Sequence, residues 1–71
     1  MSDKKISKYR NAFESSTEWG LRRKFLKVHH DKFDEDRLVC LSMCYVNIEV
    51  YGCTYPAPVM KCIQRLKAEL K

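Results

Sequence analysis

Apolar residues are densest between Leu38 and Met60, in LVCLSMCYVNIEVYGCTYPAPVM. Stepping about 100 degrees per residue from Leu38 leaves only Ser42 and Glu49 in a polar strip, near 20–40 degrees. Val39, Cys40, Leu41, Met43, Cys44, Tyr45, Val46, Ile48, Val50 and Tyr51 fill most of the remaining circle. A helix of that kind is a central one, covered on most faces by its neighbours. Gly52 marks its end, because glycine takes the left-handed C′ conformation without steric cost. Pro56 and Pro58 keep the following residues extended until another helix begins. Asn47 falls opposite the polar strip. If buried, its amide needs hydrogen-bond partners, and it reads as a brace for the 52–57 turn, supporting it together with Gly52.

Three further helices flank this one. Ser2 or Asp3 caps a short helix over roughly residues 3–14, with Ile6, Tyr9 and Phe13 as one narrow apolar stripe. Ser15-Ser16-Thr17-Glu18 has the pattern of a capping box and opens a helix over about 16–30. Leu21, Phe25 and Val28 form one apolar patch on it; Trp19 and Leu26 form another. Asp34 caps the central helix, with Glu35 and Asp36 in its first turn and a Phe33–Leu38 hydrophobic staple. The last helix runs from about Pro58 to Leu70, Pro58 suiting its first position. Val59, Cys62, Ile63, Leu66 and Leu70 line one face of it. The expected fold is therefore all-α, a small four-helix bundle with an apolar central third helix. Residues 1–71 form one domain, 1–14 being an outer first helix and 15–71 the core, and the chain is expected to be the N-terminal part of a longer protein.

Composition narrows the function. A chain of 71 residues has a small core, typically hiding about 60% of its unfolded surface. Little is left for a deep catalytic pocket. With two glycines there is no phosphate-cradling loop, and Ser42 lacks a nucleophile-elbow context. Four cysteines spaced C-x3-C-x8-C-x8-C match no familiar zinc site. Lacking a secretion signal before them, they read as reduced, buried thiols of an intracellular protein. His29-His30-Asp31 reads as a helix end where imidazolium suits the dipole. No enzyme activity, metal or cofactor is expected. No apolar run approaches the roughly 18 residues of a membrane span.

What remains is recognition. Cys53-Thr54-Tyr55-Pro56-Ala57-Pro58 sets an aromatic between a helix stop and a helix start, and tyrosine is a frequent hot-spot residue. Tyr55 is the candidate anchor, with Pro56, Tyr51 and Met60 beside it. Arg22 lies within an apolar arc, and two readings compete. In one it pairs with Glu18 and covers Trp19 and Leu26; in the other it stands at a protein interface. Trp19 is by residue type a core candidate first and a contact second. The net charge of +5 keeps a rival open, a basic RNA- or DNA-binding module reading through Lys61, Arg65 and Lys67 of the last helix.

A resemblance favours the protein interface. Trp19-x-x-Arg22-Arg23-x-Phe25-Leu26, then Leu41-Ser42-Met43, Asn47, and Gly52-Cys53-Thr54-Tyr55-Pro56 with Val59-Met60, is similar to the XTBD family over about residues 14–66. That family binds the nuclear XRN-type 5′→3′ exoribonuclease. The resemblance implies a non-catalytic helical adaptor, nuclear and monomeric in isolation, that docks on and stabilises the nuclease and links it to other factors. It needs no direct nucleic-acid contact. Tyr55 matches the aromatic of the family's G-C-x-Y-P turn, and Arg22 the arginine that follows its tryptophan. In place of a tryptophan often found in the family, this chain has Tyr45, and it departs again at Val46 and Ile48.

Overall fold

The computed structural model describes residues 6–70. Three helices make up its body, α1 (Ser16–His29), α2 (Glu35–Tyr51) and α3 (Ala57–Ala68). Each begins or ends where local chemistry dictates. The Ser15 hydroxyl accepts from the Glu18 amide at 3.1 Å while Glu18 Oε1 accepts from the Ser15 amide at 3.4 Å, a complete capping box. Asp34 Oδ1 accepts from the Arg37 amide at 2.8 Å. Gly52, at φ 67 and ψ 24, closes α2 in the left-handed region. The Gly52 and Cys53 amides return to the Ile48 and Asn47 carbonyls, at 3.2 and 3.1 Å. Pro56 occupies the cap of α3, its carbonyl accepting from the Val59 and Met60 amides. Ala57 is the first helical residue of α3, one before the expected start.

The four-helix bundle is not formed. Asp3 and its neighbours in the expected first helix lie outside the described residues. Ile6 and Ser7 are helical, but the chain then breaks into turns, with Tyr9 bonded to Ile6 and Glu14 to Asn11. Three apolar positions are a weak reward for nucleating a helix. Asn11 and Glu14 offer an alternative, since the Glu14 carboxylate accepts from the Asn11 amide at 3.4 Å. Ile6 is fully buried and Tyr9 partly so, whereas Phe13 leaves the stripe and stands at 101% exposure.

The core gathers Phe25 and Leu26 of α1, Leu38, Leu41, Tyr45 and Val46 of α2, and Ile63, Leu66 and Leu70 from α3 and its end, with Ile6 added from the N-terminal segment. Phe25 stacks on Tyr45 with ring centroids 5.5 Å apart. At one end of the molecule the buried His29 ring donates from Nε2 to the Leu66 carbonyl at 3.0 Å, tying α1 to α3. α2 packs against both other helices, yet they do not cover it on most faces as expected. Met43, Val50 and Tyr51 remain exposed.

Candidate functional site

Of the polar strip of α2, Ser42 faces inward and Glu49 stays at the surface beside α3. Ser42 is fully buried, accepts from Arg22 Nε at 3.2 Å and donates to the Val39 carbonyl at 2.7 Å. Glu49 reaches α3, accepting from Lys67 Nζ at 2.6 Å. With two helices on that side, the opposite arc is left outward. It carries Cys40, Met43, Asn47, Val50 and Tyr51.

Tyr55 closes over the C-terminal end of this arc. Gly52 reverses the chain, so the extended 53–56 stretch runs back beside the last turns of α2. Asn47 Nδ2 donates to the Tyr55 hydroxyl oxygen at 3.0 Å. Burial pushes the Cys44 thiol up from its ordinary value, and the Tyr55 hydroxyl pulls the other way. Fixed at its hydroxyl, the Tyr55 ring is half-buried. Pro56 beside it is exposed and Met60 half-buried. Tyr51 is 60% exposed, and the Glu18 carboxylate beside it raises the tyrosine's pKa. Hydrogen bonding to Ser15, then to Tyr51, holds Glu18 below the usual carboxylate range.

Arg22 and Trp19 lie on α1, with Arg22 set against the inner face of α2 at Ser42. Arg22 is 1% exposed; its Nη1 donates to both Glu14 oxygens, at 3.0 and 2.8 Å. Its guanidinium sits 5.9 Å from the centroid of the half-buried Trp19 ring. Its Nη2 has no acceptor among the described residues. A cleft of about 390 Å³ opens here, walled by residues 11–14, by Glu18 and Arg22 of α1, and by Met43, Val46 and Asn47 of α2.

Sequence reasoning missed Glu14 as the partner of Arg22, since no helical spacing relates them across the turn. It also missed Phe13 on the rim of the cleft, which had been assigned to an inward stripe. Of the three basic residues of α3 considered for nucleic acid, Lys61 and Arg65 are exposed and Lys67 is engaged by Glu49. Among the described residues no cluster of His, Cys, Asp or Glu could hold a metal. All four cysteines are free thiols, with Cys40 and Cys53 exposed and Cys44 and Cys62 only partly buried, where burial was expected. No described helix is long and apolar enough to cross a membrane.

A small helical body that leaves part of its apolar surface uncovered, around a clamped tyrosine and a cleft, has the form of a protein-recognition domain. The comparison with known families agrees: the chain belongs to the XTBD family, the XRN-Two Binding Domain, whose profile matches residues 6–71. The family is one of binding domains, not of enzymes. Partner of xrn-2 protein 1 from Caenorhabditis elegans is 34% identical over 56 residues, 79% of this chain. The match spans 17% of that relative's length.

Proposed function

We propose that this domain binds an XRN-type 5′→3′ exoribonuclease through the outer arc of α2 and the turn that follows, with Tyr55 as the anchor. The observation that carries the reading is the clamp on Tyr55. A ring with its hydroxyl fixed by Asn47 and part of its surface uncovered is pre-organised to enter a pocket, and little entropy remains to be lost on binding. Tyr51, Pro56 and Met60 extend the contact around it. The family and the name of the worm relative point to the nuclease as the owner of that pocket. Binding would stabilise the nuclease and link it to other factors in the nucleus, where such an enzyme works.

Titrating purified nuclease with the domain and with its Tyr55→Ala variant tests the anchor. The expected loss is about 2–4 kcal/mol, or roughly 30- to 1000-fold in Kd, at an unchanged thermal midpoint. Parent-like binding by Tyr55→Ala, or its early melting, would remove the anchor.

A further inference from the structure

His29 is the last residue of α1 and has no exposed surface. Its Nε2 lies 3.0 Å from the Leu66 carbonyl oxygen, which can only accept, so Nε2 carries a hydrogen and donates it. Nδ1 is buried and has no hydrogen-bond partner among the described residues. A carboxylate oxygen of Glu69 stands 3.7 Å from it. In the neutral ring Nδ1 is itself an acceptor, so two acceptors face each other and the buried one goes unmet. The ring thus has an acceptor on either side, and only its doubly protonated form has a donor for each.

The surroundings act on that second proton in both directions. His29 ends α1 and Leu66 lies in the last turn of α3, so the ring sits at the negative poles of two helices. Burial opposes the charge. Lys32 also opposes it, donating to the same Glu69 oxygen at 2.9 Å, and Arg65 of α3 acts on that carboxylate as well. Towards α2, the Phe25 ring rests 4.8 Å from His29 and stacks on Tyr45, whose hydroxyl burial keeps protonated. Glu69 has 49% of its side chain in solvent. It can therefore shift toward Nδ1 without disturbing the core, and it leads a proton there from water.

We propose that His29 is a proton-operated latch between α1 and α3, in which a proton taken up at Nδ1 turns Glu69 from a facing acceptor into a bonded partner. Without that proton the ring holds α3 through Leu66 alone. With it, one ring holds both Leu66 and Glu69, and Lys32 shares the carboxylate. The latch secures the far end of the helix that Pro56 opens directly after Tyr55. It operates in the free domain, whatever partner the outer arc takes. A bond that exists only with the proton in place contributes fully below about pH 6.5, the histidine value of an open chain, and is lost as pH rises.

Variants of His29 itself would disturb folding, so the test uses the exposed Glu69. Thermal midpoints of the parent and of Glu69→Gln are compared at about pH 8 and about pH 6, on either side of the histidine range. The parent should be the more stable at the lower pH, by a roughly fivefold gain in the folded-to-unfolded ratio, or about 4–8 °C in a domain of this size. Glu69→Gln keeps the side chain's size and offers an amide N–H to the neutral ring, so its midpoint should change little between the two. Losing the Lys32 pair lowers that midpoint at both pH values alike, and only the difference is read. NMR of the ring nitrogens in isotope-labelled protein gives the second readout. His29 should pass from one ring proton to two over this window while the domain stays folded. A parent midpoint that falls on this acidification, an equal gain in Glu69→Gln, or a ring that keeps a single proton until the domain unfolds would each overturn the latch.

Discussion

The two faces of α2 are built from nearly the same residue types and end in opposite environments. The inner face has Leu38, Leu41, Tyr45 and Val46 around one polar residue, Ser42, all 8% exposed or less. On the outer face Met43, Val50 and Tyr51 surround Asn47, the three at 39–60% exposure. Each polar residue is satisfied on its own side, Ser42 by Arg22 and Asn47 by Tyr55. What separates the faces is the supply of covering elements. α1 and α3 are enough for one side, and the N-terminal segment that could have covered the other breaks into turns. The apolar surface left over is the surface we assign to the partner.

The largest effect should come from the polar joint that fixes the N-terminal segment. Arg22→Ala leaves Glu14 buried without its partner, and breaking such a pair typically costs about 3–5 kcal/mol. Urea unfolding of the free domain should show this as a large fall in midpoint. A midpoint close to the parent's would mean that the Glu14–Arg22 pair contributes little to the inner side of the molecule.

A contrast of apolar truncations sharpens the comparison. Ile63→Ala empties a fully buried site in α3 facing the inner side and should cost about 2–5 kcal/mol of stability. Val50→Ser on the outer arc should change stability by no more than about 0.5 kcal/mol. Its effect belongs to binding, where it should weaken nuclease affinity measurably. If Val50→Ser destabilises the free domain as Ile63→Ala does, the outer arc is core and the distinction fails.

How much of this could be read beforehand follows from the range of each interaction. The caps at Ser15, Asp34 and Gly52 are decided within a few residues, and the pattern at each was sufficient. The direction in which α2 faces was not legible. Ser42 and Glu49 share one polar strip, but Ser42 is buried against Arg22, 20 residues away, while Glu49 stays exposed and pairs with Lys67, 18 residues away. His29 reads as a helix-end imidazole and is instead the buried joint to Leu66. Asn47, Tyr51 and Tyr55 gather because Asn47 and Tyr51 lie one turn apart and Gly52 reverses the chain. Phe13 escaped because its position depends on the first helix ending early, which local bonds at Asn11 and Glu14 decide.

A smaller effect is expected from pH at the hinge between α1 and the outer arc. Glu18 holds its proton less tightly in the fold than in the open chain, through Ser15 first and Tyr51 next. Its stabilisation is therefore complete above the ordinary carboxylate pKa and is lost as pH falls through the lower folded value. The thermal midpoint should drop as the solution is acidified below about pH 4, in the range where carboxylates titrate. Glu18→Gln should flatten part of that drop and lower the midpoint at neutral pH. An identical acid profile in the two proteins would show that the Ser15–Glu18–Tyr51 link carries no stability.

The outer face of α3 supplies the smallest effect, and it separates the protein-binding reading from its nucleic-acid rival. Lys61 and Arg65 are exposed there, and an arc that works by apolar contact does not need them. Lys61→Glu and Arg65→Glu should leave nuclease affinity within about twofold and stability within about 0.5 kcal/mol. A domain reading nucleic acid through this helix behaves otherwise: affinity for random RNA or DNA would be substantial at low salt and fall steeply as salt is added, and reversing either charge would abolish most of it. Shift assays with random RNA and DNA at two salt concentrations decide the matter. Salt-sensitive binding that vanishes in the charge-reversed variants would move the working surface from the arc of α2 to α3.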